Sequence, residues 1–263
     1  MLRALQSHWP EYLMEAAALG IFMISACTFG VLLDYPAGPL HQIIASPLLR
    51  RVVFGLAMGL TAMGIFFSPF GKRSGAHMNP SVTLSFLSLG KVDRWDAVFY
   101  ILSQFAGGIA GVRIASAILG SALSDSTVNY VVTSPGRWGI TSAFCAELLI
   151  SFVMMSVVLR VSNSKRFNRL TPFFAAALVA TYISIEAPFS GMSMNPARTF
   201  GSALSAQQWT ALWIYFTAPV AGMFAGAQLF RYQRGIDRVF CAKIHHHNEE
   251  RCIFRCNYGE LIS

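Results

Sequence analysis

Charged residues are scarce in this 263-residue chain: they make up 12% of it, with 54% hydrophobic. An average soluble domain carries about 25% charged residues, so too few remain here to coat a water-facing particle. Acids are scarcest, and the 12 Asp and Glu leave a net charge of +8. Cysteine is limited to five. Cys27 and Cys145 fall in apolar runs, while Cys241, Cys252 and Cys256 share the C-terminal segment. That spread excludes a disulfide framework. No hydrolytic constellation, nucleotide-binding loop or nucleophile motif is present, so neither an enzyme nor a cofactor is expected. A cleaved signal peptide is not expected either, because the first apolar run is long and carries Glu15 near its start.

Long apolar runs are abundant. Six segments approach the roughly 20 residues that a membrane-crossing helix needs. They are Tyr12–Leu33, Leu49–Phe67, Trp95–Leu119, Ile140–Val161, Thr171–Ala187 and Trp209–Phe230. The pattern predicts an all-α membrane protein. With the N-terminus cytoplasmic and the spans alternating, fifteen of the 20 Lys and Arg fall on the cytoplasmic side. The positive charge therefore reads as orientation rather than as a nucleic-acid surface. Both termini are expected in the cytoplasm.

One phrase occurs twice. Residues 74–84 read Ser-Gly-Ala-His-Met-Asn-Pro-Ser-Val-Thr-Leu, and residues 190–200 read Ser-Gly-Met-Ser-Met-Asn-Pro-Ala-Arg-Thr-Phe. Six of eleven positions agree at a spacing of 116 residues. Each copy sits between apolar runs, so the chain reads as two halves, about 9–119 and 140–231, joined by an exposed linker at Gly120–Gly139. Three spans per half is odd, and the halves must insert with opposite orientations, as inverted-repeat membrane proteins do.

The segments Asn79–Leu89 and Asn195–Leu204 are too short to cross alone. At about 1.5 Å per residue each covers about half of a 30 Å core. Asn is a favoured N-cap and Pro suits the first helical position, so Asn79-Pro80 and Asn195-Pro196 each predict a helix start. Two half-helices entering from opposite faces would meet N-terminus to N-terminus. Each terminus carries about half a positive charge, so their meeting point repels cations. The loops before them, Gly75 to His77 and Gly191 to Ser193, would present carbonyl acceptors to a neutral solute. Glu15 and Glu147 suit acceptors for those loops, with proton relay as the alternative.

At these residues the chain resembles the aquaporin, or major intrinsic protein, family over about residues 9–231. Asn79-Pro80-Ser81 and Asn195-Pro196-Ala197 resemble the family's two Asn-Pro-Ala motifs. Glu15, Glu147, Gln104, Phe54-Gly55-Leu56, Pro219 and Gly222 match its other positions. The resemblance implies a right-handed bundle of six tilted helices and two half-helices, with a homotetramer holding a pore in each protomer. Exclusion of cations by half-helix dipoles is established for aquaporin-type pores.

The family's constriction maps onto Phe54, Ile183, Met192 and Arg198. Ile183 stands where water-specific members place His, and Met192 is bulky. In favour of water, Thr199 replaces the Asp common in glycerol-conducting members, and Tyr215-Phe216 replaces their Pro-Leu. The expectation is a passive water channel, with a facilitator of glycerol or other small neutral solutes as the alternative. A secondary active transporter would share the inverted repeat, but the Asn-Pro cores offer no Na⁺ or H⁺ coupling site. A closed structural membrane protein is the remaining alternative. The expected location is a plasma or bacterial inner membrane, with no nucleic-acid partner.

Residues 232–263 form a basic segment rich in Cys and His. Cys241, His245, His247, Cys252 and Cys256 are its candidate metal ligands, since thiolate and neutral imidazole suit Zn²⁺. Their spacing matches no standard finger, and a tail lying on the membrane surface is the plainer reading.

Overall fold

The computed structural model describes residues 1–262, and every regular element in them is helical. Eight helices organise the chain: α1 Leu2–Asp34, α2 Pro47–Phe67, α3 Pro80–Ser88, α4 Arg94–Leu119, α5 Gly139–Ser162, α6 Thr171–Ile185, α7 Pro196–Ala206 and α8 Leu212–Arg234. Local chemistry starts several of them. Ser46 caps α2 through Leu49 N–H with Pro47 in the first turn, and Asp93 caps α4 through Trp95 N–H.

Among the described residues, five helices are long and apolar enough to cross a membrane. The fifth expected span, α6, has only 15 residues. Pro172 opens it, and the short turn Ala187–Ser190 takes over the rest of the apolar run. The first span begins ten residues before the expected Tyr12. His8 Nδ1 lies 2.7 Å from Asp96 Oδ1, and Arg73 Nε donates to Glu11 at 2.9 Å, which holds that extension on the bundle.

The halves interleave. Helix α1 packs on α4, α5 on α8, and α2 pairs with α6 across the halves. The half-helix α3 lies against α8 and the half-helix α7 against α4, so each half-helix is seated on the last span of the other half. Gly201 makes one contact possible. A Cβ there would sit 2.7 Å from the Gly108 backbone, so only glycine lets α7 approach α4 so closely.

Large apolar side chains such as Leu56, Leu60, Leu102, Ile118 and Leu149 face outward, where lipid would cover them. The segment joining the halves is less exposed than expected. Leu123, Val128 and Thr133 are buried, and Gly136 N–H donates to Phe189 O at 2.8 Å.

Candidate functional site

Both copies of the repeated phrase fold alike. Each loop leaves the preceding helical turn through a glycine in the left-handed region, Gly75 at φ 93° and Gly191 at φ 81°. Two further residues in each loop follow: Ala76 at 53° and Met78 at 50°, Met192 at 52° and Met194 at 54°. Non-glycine residues hold such angles only where the surroundings impose them.

The buried carboxylates supply that constraint. Glu15 accepts from Ser74 Oγ at 2.9 Å, His77 N–H at 3.0 Å and Met78 N–H at 2.7 Å. Glu147 accepts from Ser190 Oγ at 2.6 Å, Ser193 N–H at 2.7 Å and Met194 N–H at 2.7 Å. Gln104 adds a bond to Glu15 at 3.0 Å, with no counterpart on Glu147 among the described residues. Tyr100 and Tyr215 close the pattern, donating to the Ser74 and Ser190 carbonyls at 2.6 Å each.

The Asn-Pro pairs start the half-helices. Asn79 Oδ1 accepts from Ser81 N–H at 2.8 Å, and Asn195 Oδ1 accepts from Ala197 and Arg198 N–H at 3.1 and 3.2 Å. Pro80 and Pro196 occupy the first turns. The amide nitrogens cross over: Asn79 Nδ2 donates to Met194 O and Asn195 Nδ2 to Met78 O, both at 2.7 Å. The half-helices therefore meet at their N-termini. Each Asn amide has a second N–H, and both residues border a central cavity.

That cavity, about 140 Å³, brings together most of the residues singled out above. Phe54, Ile183, Met192 and Arg198 border it, as do Ala76, His77, Gly191 and Ser193. The ring is apolar except for Arg198, whose Nη1 is buried without a hydrogen-bond partner among the described residues. Gly75 stands outside the lining, and its carbonyl accepts from Ile244 N–H at 3.1 Å. Ser81, in the first motif's third position, leaves the half-helix start intact, since its N–H makes the cap bond to Asn79.

Arg113 is exposed on α4 and takes no part. Glu186 is buried. Sequence reasoning missed the Tyr100 and Tyr215 hydroxyls and the Met78 and Met194 carbonyls.

The C-terminal segment does not lie apart. Residues Val239 to His245 are buried against the bundle, and Ile244 borders the central cavity. His77 Nε2 lies 2.9 Å from Ala242 O, and its ring stacks on Phe254 at 5.2 Å and 7°. Cys241, Cys252 and Cys256 come together, but with His246. His245 turns away and packs 4.8 Å from the Phe67 ring. His247 does not join the cluster.

Two half-helices thus join at their caps inside an inverted repeat of apolar helices. The model of the family described as major intrinsic protein matches residues 2–230. The chain belongs to that family, whose members are channels rather than enzymes. It is 34% identical over 184 residues to aquaporin NIP1-3 of Oryza sativa subsp. japonica, covering 70% of this chain and 62% of that one. It is 37% identical over 170 residues to aquaporin NIP6-1 of Arabidopsis thaliana, covering 64% and 53%. The matched region thus spans somewhat over half the length of these relatives. In fold it is similar to the aquaglyceroporin from Plasmodium falciparum, with a TM-score of 0.70 at 20% identity, over 85% of this chain and 96% of that one.

Proposed function

We propose that the protein is a passive channel that conducts water and excludes protons and ions. The cross-paired Asn79 and Asn195 at the cavity carry this reading. They put two helix N-termini, each worth about half a positive charge, at one point of the path. A cation meets a barrier there, while a neutral molecule finds the spare amide N–H groups. Arg198 adds a second fixed positive site, and bulky Phe54 and Met192 narrow the passage. Each protomer of a homotetramer would hold one such pore, with both termini cytoplasmic in a plasma or bacterial inner membrane.

One observation favours a second reading, glycerol or another small neutral solute. Ile183 and Phe54 line the same cavity as Arg198, so the ring combines apolar wall with a single donor group. That suits a solute with a carbon face and a hydroxyl edge.

Stopped-flow shrinkage of proteoliposomes in an impermeant osmolyte, followed by swelling in glycerol, separates the two readings. Fast water flow with glycerol at the lipid baseline is the expected result. Comparable rates for both would establish the second reading, and baseline rates for both would refute an open pore.

A further inference from the structure

Four side chains of the C-terminal segment converge. The Sγ atoms of Cys241, Cys252 and Cys256 and a ring nitrogen of His246 all lie within 4.8 Å of one another. Cys241 Sγ is 3.5 Å from Cys252 Sγ, and His246 Nε2 is 3.0 Å from Cys256 Sγ. Ligands about 2.0–2.3 Å from a common tetrahedral Zn²⁺ lie roughly 3.5–3.8 Å apart. The cluster needs little adjustment to reach that spacing. Three thiolates and one imidazole are also a donor set that selects a borderline-soft ion of this kind over Mg²⁺ or Ca²⁺.

A second observation is independent of the ligands. Lys243 is only 2% exposed, and no carboxylate pairs with it among the described residues. Its ammonium donates to the Glu250 and Arg251 carbonyls at 3.0 and 2.9 Å, beneath the loop that joins His246 to Cys252. A buried cation without a counter-charge is costly. Three thiolates around a dication carry one net negative charge, which balances it.

We propose that Cys241, His246, Cys252 and Cys256 bind one Zn²⁺ ion, which fixes the C-terminal segment as a cap on its end of the pore. This rests on the channel reading above for what the cap obstructs. The residues between the ligands make the obstruction. Ile244 borders the cavity, and its N–H takes up the Gly75 carbonyl that a passing molecule would otherwise use. Ala242 O contacts His77, and Phe254 covers the His77 ring.

The outer edge is tied down as well. Arg255 N–H donates to Lys91 O at 3.0 Å, and Tyr258 OH donates to Asn168 at 2.9 Å. With the metal bound, the cap is pinned by its first and last ligands and restricts, without blocking, the water flow proposed above. Without it, the fourteen residues between Cys241 and Cys256, which have no regular structure, keep only their apolar packing and scattered hydrogen bonds, and the cap is free to lift.

The test uses the full chain, purified without a polyhistidine tag because residues 245–247 are His. Elemental analysis is expected to find about one zinc per chain, and X-ray absorption a three-sulfur, one-nitrogen shell. The paired substitution Cys252→Ser with Cys256→Ser should lose the zinc. Stripping the metal from the wild type with a membrane-permeant chelator should raise water permeability several-fold, and restoring zinc should reverse the rise. Metal-free wild-type protein, zinc retained in the double variant, or a Cys241–Cys252 disulfide found by mass spectrometry would overturn the site. Permeability unmoved by stripping while a pore is open would overturn the cap. A protein that holds zinc but conducts nothing in either state would sink the channel reading and leave the site standing.

Discussion

Asn79 and Asn195 hold each other's loops: each side-chain amide donates across the junction to the carbonyl just before the other Asn, at the same 2.7 Å. Each oxygen meanwhile caps its own half-helix. One residue type thus fixes the helix start, the meeting of the halves and the polarity of the centre. Asn195→Leu removes a cap worth about 1 kcal/mol. It also strips the Met78 carbonyl of its partner, at about 1–3 kcal/mol. Water flow through reconstituted Asn195→Leu is expected at the lipid baseline, with Asn79→Leu behaving the same way. Wild-type rates in either variant would contradict the junction as the conducting centre.

The Glu147 carboxylate is an acceptor only. Its two oxygens take two backbone N–H groups and a hydroxyl. Glu147→Gln replaces one oxygen with an NH₂ group, so at least one buried N–H faces a donor. The expected cost is about 1–3 kcal/mol. It should appear as a lower melting temperature in detergent, while the exposed Asp237→Asn leaves that temperature unchanged. Glu15→Gln should match Glu147→Gln in direction. If Glu147→Gln melts like wild type but alters proton leak, the residue is a relay and not a buttress.

Features that depend on neighbours in sequence were legible before the structure. Asn followed by Pro starts a helix through chemistry confined to three residues, so the half-helix starts at Pro80 and Pro196 could be read directly. Glu15 and Glu147 were legible through the family resemblance, which matches their positions, although their donors lie 59–63 and 43–47 residues away. Tyr100 and Tyr215 were not legible. Their acceptors lie 26 and 25 residues away, and a tyrosine in an apolar helix has many possible partners.

The C-terminal segment misled for a different reason. Lys, His and Arg there suggest a solvated surface, yet Lys243 is buried because backbone carbonyls of its own loop take its ammonium. Phe240, Ile244, Phe254 and Tyr258 pack inward at spacings that follow neither a helix nor a strand period. Pattern reading finds no face in such a segment.

Ile183 and Arg198 border the same cavity, one apolar and the other a fixed donor. Ile183→His places a second polar group in the ring. It should lower glycerol flow relative to water, because the carbon face of the solute loses its wall. Arg198→Ala removes both bulk and charge, so larger neutral solutes should pass. Paired water and glycerol measurements on the two variants check both directions. An unchanged ratio in both would remove these residues from the constriction.

Met192 narrows the ring from a backbone angle that favours glycine, φ 52°. Its N–H is held by Ser190 Oγ at 3.1 Å, a bond that needs no side chain at position 192. Met192→Gly relieves the left-handed strain but adds freedom to the unfolded chain. The opposing effects should leave stability within about 1 kcal/mol of wild type. The same change removes a flexible thioether from the cavity wall, so glycerol flow should rise more than water flow. Ala76 provides the control, being the matching position in the other loop at φ 53°. Ala76→Gly makes the same backbone change while deleting a single methyl, and solute preference should stay as it was. A selectivity shift of equal size in both variants would trace the effect to loop backbone rather than to the width of the ring.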